Sequence, residues 1–158
     1  MTIENELYVV HNGRDFDHTA KVISALRAVT NAKLLREGKL EGIDIEHVAE
    51  ELESMGKTQQ RMLIGRLTAL LAHLMKWQLQ PELRSRSWKN TIKMQRIDLQ
   101  ELLQDNPSLR PQMGEALNRA YRKAKLLAAG DTDMDETGFP ETCPYSFEQA
   151  LEEAFWPE

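Results

Sequence analysis

The sequence predicts an all-α protein, a single compact bundle of about five or six helices with an irregular, acidic, proline-containing segment toward its end. Three observations lead there. Apolar residues recur at alternating steps of three and four through most of the chain, capping and breaking residues fall between those runs, and no run alternates strictly enough to make a strand.

The first helix is expected from Asp15 to Arg36, with Val22, Ile23, Leu26, Val29 and Leu34 toward a core. Gly38 and Gly42 then mark a loop. "DIEHVAEELESMG" starts at a capping Asp44 and stops at Gly56, placing Ile45, Val48, Ala49, Leu52 and Met55 inward. Thr58 caps the next run, where Leu63, Leu67, Leu70, Leu74 and Trp77 form a continuous stripe that Pro81 ends. After this corner Ser87 caps a helix to about Gln104, with Trp88, Ile92, Leu99 and Leu102 on one face and Gln95 in register with them. A glutamine on such a stripe needs a partner, His73 or the acidic helix before it. Asn106 and Pro107 open another helix through Leu109, Met113, Leu117, Tyr121 and Ala124 to Gly130. The irregular "GDTDMDETGFPETCPY" follows. Ser146 with Gln149 three residues on makes a capping box for a last short helix ending near Phe155.

With 158 residues, 41% hydrophobic, the chain suits one core, and one domain over 1–158 is expected, with residues 1–14 as a loosely packed lead-in. The longest nearly apolar run, Leu67 to Met75, is interrupted by His73 and falls far short of the roughly 20 residues of a membrane span. The acidic start "MTIENELYVV" does not resemble a secretory signal, and one cysteine, Cys143, makes no internal disulfide. A cytoplasmic protein without a membrane partner is the expectation.

Charge is divided sharply along the chain. Residues 1–56 carry six Lys/Arg against eleven Asp/Glu, residues 57–96 nine against one, and residues 97–158 five against thirteen. A basic middle holding two tryptophans suits an acidic partner, either nucleic acid or a protein surface. Alternatively, the acidic flanks fold back and neutralise it. A homo-oligomer is equally compatible with these features.

Two constellations stand out within that middle. Arg66, Ala69, His73, Lys76 and Gln80 share one narrow stripe beside the leucines, so His73 is a candidate general acid or base, with Arg66 and Lys76 as candidate phosphate-stabilising charges. An arginine and a histidine separated by six residues also resemble the loose pattern of the higher-eukaryote-and-prokaryote nucleotide-binding ribonucleases, although Leu67 stands where those usually have a polar residue. The competing reading pairs Arg66 and His73 with carboxylates such as Glu50 and Glu51 in a polar network, which would suit a structural or assembly protein. Across the corner, Arg84, Arg86, Lys89 and Lys93 surround Trp88, with Gln95 and Arg96 beside them, a set able to hold phosphates and stack a base.

Other signals lead nowhere. Asp131, Asp133 and Asp135 alternate like a calcium loop, but Glu136 replaces its glycine and Thr142 its bidentate glutamate. His11 and His18 have no metal-ligand spacing with Asp15 or Asp17, Cys143 lacks a nearby histidine, and no phosphate loop or nucleophile elbow occurs. No metal or cofactor is expected.

The strings "IDIEHVAEELESMG", "LTALLAHLMKWQLQPELRSRSWKNTIKMQR", "NPSLRP", "FPETCPYSFEQ" and "FWPE" together resemble the bacterial domain-of-unknown-function family twenty-nine, over about residues 30–158. The resemblance implies a compact all-helical fold and carries no assigned activity. It singles out Asp44, Glu50, Glu51, His73, Lys76, Arg84, Ser87, Trp88, Gln95 and Arg96 as a polar signature. Between Asp15-Phe16 and Leu34-Leu35-Arg36 this chain is longer than that pattern, and it lacks a tryptophan after the Asp-Phe pair.

Overall fold

Glycine inside a helix costs only about 1 kcal/mol and does not oblige the chain to turn. In the computed structural model, which describes residues 13–158 with side chains from residue 18, Gly56 lies within one long helix. Residues 1–12 of the expected lead-in, His11 among them, lie outside the described residues, as do the side chains of Asp15 and Asp17. The order is α1 (Gly13–Arg36), α2 (Ile45–Leu79), α3 (Arg86–Asp105), α4 (Met113–Thr132) and α5 (Phe147–Leu151), joined by short 3-10 turns. The protein is all-α, with no strand among the described residues.

The expected break at Gly56 and Thr58 is therefore corrected. The Thr58 hydroxyl does not cap a helix start; it donates to the Ser54 carbonyl one turn back at 2.9 Å. By contrast, Gly38 makes a true helix stop. Its φ of 69° is left-handed, and the Gly38 and Lys39 amides close onto the carbonyls of Leu35 and Leu34 at 3.2 and 3.0 Å.

Contacts group the chain into two compact units, Met1–Glu53 and Ser54–Glu158. In the first, polar groups tie α1 to the start of α2. The Ser24 hydroxyl donates to Glu51 at 3.1 Å, the Asp44 amide donates to the Asn31 side-chain carbonyl at 3.2 Å, and the Asp44 carboxylate caps α2 by accepting from the His47 amide at 3.1 Å. Val22, Ile23, Leu26, Val29, Ile45 and Leu52, expected inward, are exposed instead, and so is Ala49; Leu34 and Val48 are half-buried. Periodicity finds the apolar side of a helix. It does not say what covers that side.

The second unit has a dense core. Leu63, Leu67, Leu70, Leu71 and Leu74 of α2 are fully enclosed with Ile92 and Leu99 of α3. Met55, on the same α2, is exposed rather than inward. Ala116, Ala120, Ala124 and Ala128, each one turn apart, line the inner side of α4. Their small side chains admit close approach, and the Thr68 hydroxyl reaches to within 3.5 Å of the Ala120 carbonyl. Pro107 opens a 3-10 turn through Gln112 before α4 begins, and Ser146 and Gln149 form the expected capping box on α5.

The cap of α3 also differs from expectation. Ser85, not Ser87, accepts from the Trp88 amide at 3.2 Å, so α3 starts two residues earlier. Both serines precede the same apolar stripe, and sequence spacing alone could not choose between them. Gln95 is corrected likewise. It is half-buried, whereas its neighbour Arg96 is enclosed at 1% exposure. A 3.6-residue repeat admits either position between Ile92 and Leu99.

Candidate functional site

Arg96 organises the end of the chain. From the middle of α3 its guanidinium donates to the carbonyls of Ala150, Glu153 and Phe155 at 2.8, 3.3 and 2.7 Å. These are carbonyls that the short α5 and the turn after it leave without helical partners, and a cation suits that end of a helix. Burial draws the guanidinium down from its usual range, and the charges of Glu153 and Glu152 oppose that shift.

The terminal segment is thereby laid beside the α2–α3 corner. Trp156 sits against Trp77, with ring centroids 4.7 Å apart, and Phe155 meets Tyr145 edge-on at 5.6 Å. Tyr145 donates to Gln78 at 2.6 Å, and Gln78 donates to the Glu158 carbonyl at 3.0 Å. Cations lie over these rings. Arg84 is 5.0 Å from the Trp77 centroid and donates to the Trp77 carbonyl at 2.8 Å; Lys89 and Arg96 stand 5.9 and 5.3 Å from the Trp156 centroid. Lys89, Lys93, Arg96, Ile97, Glu153 and Trp156 line a cleft of about 420 Å³.

Other cations of the basic segment are held elsewhere. Lys76, only 7% exposed, pairs with Asp131 at 2.8 Å and lies 4.6 Å from the Trp88 centroid. Arg66 pairs with Asp98. His73 is half-buried, and its Nδ1 donates to the Ala69 carbonyl of its own helix at 2.9 Å. So Arg66, His73 and Lys76 share a helix stripe without sharing a site. Asp44, Glu50 and Glu51 belong to the first unit, where Asp44 caps α2, Glu51 binds Ser24 and Glu50 is exposed. Arg84, Arg86, Lys89 and Lys93 are exposed and Trp88 is half-buried, but the cation over the Trp88 ring is Lys76, while Arg84 lies over Trp77 and Lys89 over Trp156.

The Asp-rich loop serves the fold. Asp131 goes to Lys76, Asp133 ends α4 with a left-handed φ of 53°, and Asp135 caps the next turn through Thr137. Its hydrogen bonds from Thr137 hold the Asp135 carboxyl below the usual carboxylate range. Among the described residues no group of three or more His, Cys, Asp or Glu is placed to hold a metal. Cys143 is half-buried, and burial pushes its thiol up, away from a reactive thiolate.

The family model for a domain of unknown function, DUF29, matches residues 26–156, spanning α3, the corner and the terminal strap. The chain belongs to the DUF29 family. No curated protein and no solved structure matches it. In this DUF29 chain the terminal "FWPE" brings Trp156 to the cleft, a role that could not be assigned from its place 60 residues beyond Arg96. Glu153 was equally hidden. The signal that existed was the spacing of Lys89, Lys93 and Arg96, which share one side of α3 at steps of four and three. A second, open cleft of about 850 Å³ lies along α4, lined by Arg119, Arg122, Lys123, Glu136, Phe139 and Glu141. Its charges are mixed. No helix among the described residues is long and apolar enough to cross a membrane.

Proposed function

We propose that this protein is a binding module whose α2–α3 corner takes single-stranded nucleic acid. The observation that carries the reading is the cleft in which Lys89 and Lys93, both exposed, stand beside the half-buried Trp156 ring. Phosphates need mobile cations and bases need an aromatic surface, and single-strand binders combine the two. Arg84 and Arg86 extend the positive surface along the corner. An acidic protein surface would meet the same cations but would make less use of the tryptophan.

Chemistry through His73 and Arg66 has less support. Arg66 is committed to Asp98, and one imidazole nitrogen of His73 to its own helix. Fluorescence anisotropy with labelled single-stranded RNA and DNA over a salt series tests the proposal. Binding should weaken as salt rises, and Lys89→Glu with Lys93→Glu should weaken it at least tenfold. Absence of binding at low salt, or binding indifferent to the double charge reversal, would overturn it.

A further inference from the structure

Opposite charges line the cleft along α4 without pairing across it. On the helix side, Arg119, Arg122, Lys123 and Leu126 fall within about 100° of one another around α4. Lys125 joins them at the edge, 5.3 Å from the Tyr121 ring centroid. The other wall is the chain from Glu136 to Glu141. Arg119 reaches only Glu115 of its own helix, at 3.6 Å. Among the described residues no ion pair joins Arg122 or Lys123 to either carboxylate of the other wall.

The fold holds the two walls apart. Asp133, with its left-handed φ of 53°, turns the chain off the end of α4, and the Asp135 carboxylate accepts from the Thr137 amide and hydroxyl at 2.9 and 2.6 Å. Beyond that turn Phe139 is seated in the core at 6% exposure, and the Tyr121 hydroxyl ties the Pro140 carbonyl back to α4 at 2.7 Å. A wall pinned in this way does not swing onto the cations. The cleft of about 850 Å³ is therefore preformed, and it falls within the roughly 300–1,000 Å³ of small-molecule sites.

We propose that this cleft binds a sugar phosphate, a phosphate monoester carried on a polyhydroxyl body. Charge selects the class. Four lining cations against two carboxylates leave an excess of two positive charges, and a phosphate monoester carries about −1.5 to −2 near pH 7. Arg122 and Lys123, both exposed and without a carboxylate partner, take the phosphate oxygens, the guanidinium as a fork and the ammonium as a point charge. Glu136 and Glu141 repel a bare polyanion but accept from hydroxyl groups. A zwitterion such as an amino acid brings no net charge and leaves the cationic excess standing. Leu126, 59% exposed, offers apolar surface to the C–H face of the sugar.

Amide NMR of the full chain locates and ranks binding when it is titrated with ribose 5-phosphate, glucose 6-phosphate, adenosine 5′-monophosphate, ribose and inorganic phosphate. At least one phosphorylated sugar should shift the amides of residues 119–126 and 136–141 and bind at least tenfold more tightly than inorganic phosphate, while ribose shifts nothing. Tighter binding of adenosine 5′-monophosphate than of both free sugar phosphates identifies the ligand as a nucleotide. Arg122→Glu with Lys123→Glu should remove binding, and Lys89→Glu with Lys93→Glu, at the corner, should leave it intact. Glu136→Gln with Glu141→Gln separates recognition from general damage. This pair should weaken the phosphorylated sugar at least tenfold while inorganic phosphate binds as before or more tightly. The proposal is overturned if none of the three phosphorylated sugars shifts these amides at about 10 mM, or if none binds better than inorganic phosphate. Shifts confined to the corner around Lys89, or an equal effect of the glutamine pair on both kinds of ligand, overturn it as well.

Discussion

Replacing Arg96 with methionine removes the guanidinium but keeps most of the aliphatic stem, so the loss isolates what the three carbonyl bonds contribute. Each charge-assisted bond is worth about 1.5–3 kcal/mol when measured alone. They share one donor group and are not additive, and relief of the desolvation of an enclosed cation opposes the loss. Of the three acceptors, the Ala150 carbonyl belongs to a fully buried residue, whereas Glu153 is exposed and Phe155 half-buried, so water can replace the bonds to those two more readily. The net expectation is a destabilisation of about 3 kcal/mol, with Arg96→Lys intermediate because ammonium keeps the charge but cannot span three carbonyls. Urea denaturation followed by circular dichroism gives the stability. Hydrogen exchange across residues 147–158 shows whether the loss is local, and faster exchange there than in the α2 core is expected. A cost below about 1 kcal/mol, or unchanged exchange in the terminal segment, would refute the clamp.

Two further substitutions test other parts of the structure. Gly56→Ala should stabilise the protein by about 0.5–1 kcal/mol, because α2 runs through this position and nothing lies within 4 Å of the added methyl. A destabilised Gly56→Ala in the same urea titration would instead indicate a helix stop there. Burial pushes the Tyr121 phenol up to about 12 from its ordinary 10.0, and its hydroxyl donates to the Pro140 carbonyl at 2.7 Å. The native state then holds this proton more tightly than the unfolded chain, so the associated stability is intact below about pH 10 and falls between about 10 and 12. Tyr121→Phe should shallow that alkaline decline in denaturation measured from pH 8 to pH 12, and an unchanged slope would contradict it.

The helical class was legible because leucines at three- and four-residue steps have one physical meaning, and the same stripe located the real core at Leu63, Leu67, Leu70 and Leu74. Identical periodicity in α1 and the start of α2 gave the wrong inside. What those residues contact depends on tertiary packing or on a partner, and neither is written in the local pattern. Ser85 and Ser87 lie two residues apart and Gln95 and Arg96 are adjacent, and a repeat of 3.6 does not choose within either pair. The corner cations Arg84, Arg86, Lys89 and Lys93 were visible as a cluster. Their neighbour Trp156 was not, since it reaches them through tertiary contacts such as the Arg96 clamp and the Trp77 ring, which no local pattern records.

The nine cations between Lys57 and Arg96 are best understood by what holds them. Asp98 and Asp131, both from the acidic final third, take Arg66 and Lys76, and three backbone carbonyls take Arg96. Neutralisation by a folded-back flank therefore accounts for part of the basic segment and stops at the corner. Arg86 and Lys93 stay exposed there, while Arg84 and Lys89 lie over tryptophans, where a cation keeps its charge available to a ligand. Folding thus separates structural from available charge by depth. Reversing Lys93 should alter binding with little effect on stability, whereas removing Lys76 should do the opposite, because of the two only Lys76 is buried, and its ammonium is held there by the exposed Asp131 carboxylate.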